Sequence, residues 1–97
     1  GAGVTKDLNK AFYWLNLASQ KGYLDAKYSL GVMYEFGEGV DQNNEKAYEN
    51  FIFAARKGNL ESQIKVAEMY KNGIGTEKNL EKSAYWLDKI EESNVAN

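Results

Sequence analysis

The chain contains no cysteine, no histidine and no proline, and each absence removes a class of explanation. Without cysteine there is no disulfide and no thiolate metal site, and nothing about the redox compartment can be read. Without histidine or cysteine neither a Ser-His-Asp triad nor a thiolate nucleophile can be built, and the commonest general base near neutral pH is missing. No catalytic, cofactor-binding or metal-ligating residue is therefore expected, and the chain reads as non-enzymatic. Charge of one sign is scarce too. Twelve basic and 14 acidic residues give a net charge of −2, and no block of like charge exceeds two or three residues. That argues against a nucleic-acid backbone or an anionic membrane as the main partner. No stretch approaches the ~18 apolar residues of a spanning helix, and the first residues lack the basic, then apolar, then small-residue pattern of a signal peptide. The expectation is a soluble protein, with the choice between cytoplasmic and exported left open.

What the chain does have is a period. The stretch Gly22–Gly39 returns as Gly58–Gly75, an offset of 58 − 22 = 36 residues. At that offset the chain divides without gaps into 1–36, 37–72 and 73–97, a single solenoid piece of about two and a half repeats. The first two units match at 11 of 36 positions, among them Ala11/Ala47, Ala18/Ala54, Gly22/Gly58, Met33/Met69 and Tyr34/Tyr70. The third continues with Gly73, Gly75, Lys82, Trp86 and Leu87. A repeat of this size cannot bury its apolar face alone and stacks on its neighbours. A chain of this length buries only ~60–65% of its unfolded surface, so stability is modest.

Within each unit the apolar residues fall at helical spacing, as Ala11, Trp14, Leu15 and Ala18 do, and then Ala26, Leu30, Met33 and Tyr34. The absence of proline favours this reading. Five helices are expected, near 7–21, 24–36, 43–57, 60–72 and 79–92. Asp7, Asn43 and Asn79 stand in register as N-caps, and residues 1–7 read as a turn like the one at 37–43. Gly22 and Gly58 should close the first and third helices, and the short connections there force antiparallel neighbours. Gly31 lies inside a helix at a cost of about 1 kcal/mol, which implies a close backbone approach by another helix. In the third unit Ile90 and Asn94 stand where small residues and glycine stood, so the array is expected to end with 79–92 as a closing helix and 93–97 as a frayed tail.

The run Ala26-x3-Leu30-Gly31-x-Met33-Tyr34-x2-Gly37-x-Gly39-Val40-x6-Ala47-x6-Ala54-Ala55-x2-Gly58 resembles the Sel-one-like repeat, a branch of the tetratricopeptide superfamily. The resemblance implies an all-α, right-handed superhelical solenoid of antiparallel helix pairs. It also implies that the helices of the Leu-Gly-x-Met-Tyr type, called A here, line the concave side, and that the module is an adaptor or scaffold for a protein or peptide partner.

Other motifs read as structure. The Gly-x-Gly turns lack the third glycine and preceding strand of a dinucleotide fingerprint and the Gly-Lys-Ser/Thr of a P-loop. Asp41-x-Asn43-x-Glu45 lacks the central glycine and distal Glu of a calcium loop. The pairs Glu91/Glu92 and Glu35/Glu38 read as solvated charge. Trp14/Trp86 and Tyr34/Tyr70, in register, read as inter-helix core. Partner binding is expected on the A-helix face carrying Tyr28, Val32 and Glu35 and, one unit on, Ile64, Glu68 and Lys71. For Tyr28 and Ile64, packing under the neighbouring A helix is the alternative. Two other roles compete with the adaptor reading. In one, Trp14, Leu15 and Ala18 are left exposed at an open N-terminal repeat end and the chain forms a homo-oligomer through them. In the other, the chain is an accessory repeat region of a parent enzyme.

Overall fold

Five helices run in the order α1 (Ala2–Gln20), α2 (Leu24–Phe36), α3 (Asn44–Arg56), α4 (Leu60–Asn72) and α5 (Leu80–Ala96). The computed structural model describes residues 2–96, and side chains over 7–94. Three of the helix starts are fixed by asparagine. The Asn43 side chain accepts from the Lys46 amide at 3.0 Å, Asn79 from Lys82 at 2.9 Å, and Asn59, not foreseen as a cap, from Ser62 at 2.9 Å. Each supplies a partner to an amide that the helix itself leaves free. Helices α2 and α4 close on Gly37 and Gly73, which bond back to the Met33 and Met69 carbonyls. The turns then return to the same ends, Asn43 N–H donating to Tyr34 and Asn79 N–H to Tyr70, each at 2.8 Å. Identical residues at a spacing of 36 thus make identical bonds.

Each helix packs on its neighbours in sequence, α1 on α2, α2 on α3, α3 on α4 and α4 on α5. The result is an all-α solenoid with extents of 44 × 28 × 22 Å. Its core centres on α3 and α4, where Ala47, Phe51, Val66 and Ala67 are buried with Tyr70 and Trp86. Small residues let the helices close up. Ser83, in the register of Ala11 and Ala47, is buried and donates its hydroxyl to the Ala67 carbonyl at 2.8 Å. Ser62, in the register of Ala26, is also buried, but its hydroxyl has no hydrogen-bond partner.

Three expectations are corrected. Residues 2–7 are the first turns of α1 rather than a turn capped by Asp7. The later turns are held by carbonyls of the preceding A helix, Asn43 N–H by Tyr34 and Asn79 N–H by Tyr70. Residues 93–96, expected to fray, continue α5, because Asn94 in place of glycine supplies no stop. Trp14 is 64% exposed whereas Trp86 is 6% exposed. The two occupy the same register, but Trp86 packs against α4, and among the described residues no helix stands in that place for Trp14. Gly31 does accommodate a close approach, though by the Phe51 ring rather than a backbone.

Tyr70 links this packing to pH. Burial holds its phenol neutral, as does the hydrogen bond shared with the Tyr48 hydroxyl, and together they push its pKa from 10.0 up to about 12 against the opposing Arg56 charge. Because the unfolded chain releases this proton first, the stabilisation is complete below pH 10 and is lost as the pH rises toward 12. The midpoint of thermal unfolding should fall more steeply over that interval in the wild-type chain than in Tyr70→Phe. Parallel slopes would remove Tyr70 as the cause.

Candidate functional site

The A helices α2 and α4 carry the candidate surface, since residues 28, 32 and 35 and their register mates 64, 68 and 71 each form one stripe at i, i+4 and i+7. The opposite face of α4 is spent on the core, with Ser62, Val66, Ala67, Met69 and Tyr70 all buried. That burial fixes the rotation of the helix and turns Ile64, Glu68 and Lys71 outward. Ile64 is 43% exposed, and Glu68 and Lys71 are exposed.

On α2 the same stripe is partly used. Tyr28 and Val32 are half-buried against the core, and the Tyr28 ring meets Phe51 with centroids 5.7 Å apart. Its packing partner is therefore on α3, a helix of the other type. Glu35 is paired with Lys65 at 2.9 Å, a bridge from α2 to α4 that ties adjacent A helices together. The structure so brings Ile64, Glu68 and Lys71 to exposed positions, leaves Glu35 half-buried in its pair with Lys65, and gives Tyr28 and Val32 a packing role.

Sequence reasoning missed two neighbours of this stripe. Phe36 is 64% exposed at the end of α2, and the Lys65 ammonium lies 5.7 Å from its ring centroid. Phe36 has Asn72 as its register mate and Lys65 has Ser29, so periodicity gave no signal for either. The exposed Phe36 and Ile64, with the Glu35–Lys65 pair and the exposed Glu68 and Lys71, make the outer surface of the A helices chemically mixed. It suits an amphipathic segment, with apolar anchors and a charged rim that selects register. Among the described residues no group of three or more His, Cys, Asp or Glu side chains could hold a metal ion, and no helix is long and apolar enough to cross a membrane.

The chain was compared with known proteins on three levels. The model of the Sel1 repeat matches residues 1–23, 24–59 and 60–94. Among solved structures, a Sel1 repeat protein from Oxalobacter formigenes superposes with a TM-score of 0.84 at 28% identity, over 87% of this chain and 35% of that one. A second, the protein c5321, a protective antigen present in uropathogenic Escherichia coli strains displaying an SLR fold, superposes with a TM-score of 0.85 at 29% identity, over 88% of this chain and 18% of that one. The chain thus spans well under half of either structure. No curated protein shows significant sequence similarity to it.

Proposed function

The chain belongs to the Sel1 repeat family, and from that membership we propose that it is a non-enzymatic interaction module presenting its A-helix face to a protein or peptide partner. Sel1 repeats mediate protein interactions, which supports the general role. The observation that carries the specific one is the exposure of Ile64, Glu68 and Lys71 on a helix whose other face is wholly committed to the core. A rigid frame keeps the stripe in place, so little side-chain and backbone ordering is needed on binding. Partner choice then rests on the exposed positions of α4, Ile64, Glu68 and Lys71, which differ from their register mates Tyr28, Val32 and Glu35.

Capture of partners from the source organism on immobilised chain tests this. The variant Ile64→Ala with Glu68→Lys should retain the helical circular dichroism of the wild type and lose the captured partner by about tenfold or more in affinity. Unchanged capture would discard the stripe as the binding face. Both residues are exposed, so the variant avoids the packing loss that Tyr28→Ala would cause.

Exposure of Tyr13 at 58% and Trp14 at 64% on α1 favours a second reading, pairing of two chains through α1. Sedimentation would then show a dimer at high concentration that Trp14→Ala dissolves, and a monomer at every concentration would exclude it.

A further inference from the structure

On the side away from α2, the helices α3 and α5 both lean on α4 without closing on one another, and a groove of about 550 Å³ remains between them. Arg56 and Lys57 enter it from the end of α3, and Lys82 and Lys89 from α5, with Tyr85 and the edge of Trp86 between the two walls. No acidic side chain lines it. The four cations are exposed, and the one ion pair among the described residues is Lys65–Glu35 elsewhere, so none of the four has a carboxylate within 4.0 Å. Lys82 and Lys89 lie instead over the Tyr70 and Tyr85 rings, each at 5.5 Å. Four unpaired positive charges around one concavity focus a positive potential there, in a chain of net charge −2.

The repeat supplies its own comparison. One period earlier the position of Arg56 is held by Gln20, that of Tyr85 by Glu49 and that of Lys89 by Phe53. There the Lys27 ammonium sits 4.6 Å from the Phe53 ring centroid, spanning from α2 to α3. Residues common to both places, Lys21/Lys57, Gly22/Gly58 and Lys46/Lys82, belong to the frame. Arg56, Tyr85 and Lys89, which make the second place basic and aromatic, are not needed to build the fold.

We propose that the groove between α3 and α5 docks an acidic peptide segment of a protein partner, its carboxylates on Arg56 and Lys89 and an apolar side chain between them on Tyr85 and Trp86. Arg56 offers a planar fork to a carboxylate, and Lys89 a point charge on the facing wall. A peptide suits the site better than a nucleic-acid strand. A phosphate backbone is repelled by a net acidic chain, and this one carries a net charge of −2. This surface is separate from the α2/α4 stripe.

The test uses the Trp14→Phe chain, in which Trp86 is the remaining tryptophan and reports from the groove edge. It is titrated with a short Glu-rich peptide carrying one central Leu, with the same peptide bearing Lys for Glu, and with oligouridylate. The Glu-rich peptide should bind and shift Trp86 emission, and the Lys-rich one should not. Arg56→Glu with Lys89→Glu should weaken binding by about a hundredfold, roughly tenfold per reversed side chain, and Arg56→Ala with Lys89→Ala by about tenfold. Ile64→Ala with Glu68→Lys should leave this affinity unchanged, which separates the groove from the A-helix stripe. No binding of the Glu-rich peptide, or equal affinity in the charge-reversed chain, would overturn the proposal. Tighter binding of oligouridylate, lost on the same charge reversal, would overturn it in favour of a phosphate ligand.

Discussion

Replacing Gly31 with alanine should destabilise the chain by about 2 kcal/mol, and adding Phe51→Leu in the same chain should recover most of that loss. A methyl group at Gly31 would stand 2.5 to 2.8 Å from three carbons of the Phe51 ring. That ring is wholly buried between α2 and α4, with Tyr28 on one side and the core on the other, and has little room to withdraw. Overpacking of this kind costs about 1–3 kcal/mol, which for a domain of this size lowers the unfolding midpoint by roughly 4–8 °C per kcal/mol. One repeat on, Ala67 stands in the register of Gly31 and Leu87 in that of Phe51, and Leu87 is 54% exposed where Phe51 is wholly buried, so the alanine stands where no ring of that register is packed. Urea or thermal melts of the two single variants and the double one give the coupling. A double variant no more stable than the sum of its parts would show that Gly31 and Phe51 do not share a space.

The second large effect is expected at Gly75. Its φ of +74° suits glycine alone, and a Cβ there would lie 2.9 Å from the Asn44 carbonyl carbon, with the carbonyl oxygen closer still. Asn44 is the first residue of α3, so the contact ties the entry of α5 to the start of the preceding B helix. Gly39 repeats it against Leu8, since 39 + 36 = 75 and 8 + 36 = 44. Backbone on backbone has no flexible end to yield. Gly75→Ala should therefore cost about 3 kcal/mol or more, the sum of conformational strain and displacement of one helix from another. Gly58→Ala isolates the first of these. Its φ is +101°, but nothing lies within 4 Å of the added methyl, so a loss of about 1 kcal/mol is expected. Equal losses at the two glycines would mean that the Asn44 contact contributes nothing.

These glycines also show how far the fold was legible before any coordinates. Period, helix number, the caps at Asn43 and Asn79 and the closures at Gly22 and Gly58 follow from local chemistry repeated in phase, and the structure carries all of them. What periodicity misjudged depends on which neighbour is present. Trp14 and Trp86 have the same residue and register, yet one is exposed and the other buried, because burial in a solenoid is a property of the stack and not of the repeat. The turn expected at residues 1–7 is helix over residues 2–7. A stripe at i, i+4 and i+7 leaves Tyr28 open to groove or core, because it does not reveal that Phe51 leans onto it. The basic groove gave no sequence signal at all. Its charges come from 56–57 and 82–89 and meet only because α3 and α5 flank α4.

The central claim is that the frame faces inward through its in-register residues and that the exposed stripe of α4 receives the partner. Covalent carboxyl and amine labelling of the chain, free and with its captured partner bound, tests that claim on the side chains themselves. Binding should slow modification of Glu68 and Lys71 while Glu81 and Asp88 on α5 react as before. Unchanged labelling of Glu68 and Lys71 in the complex, with protection appearing elsewhere, would contradict it.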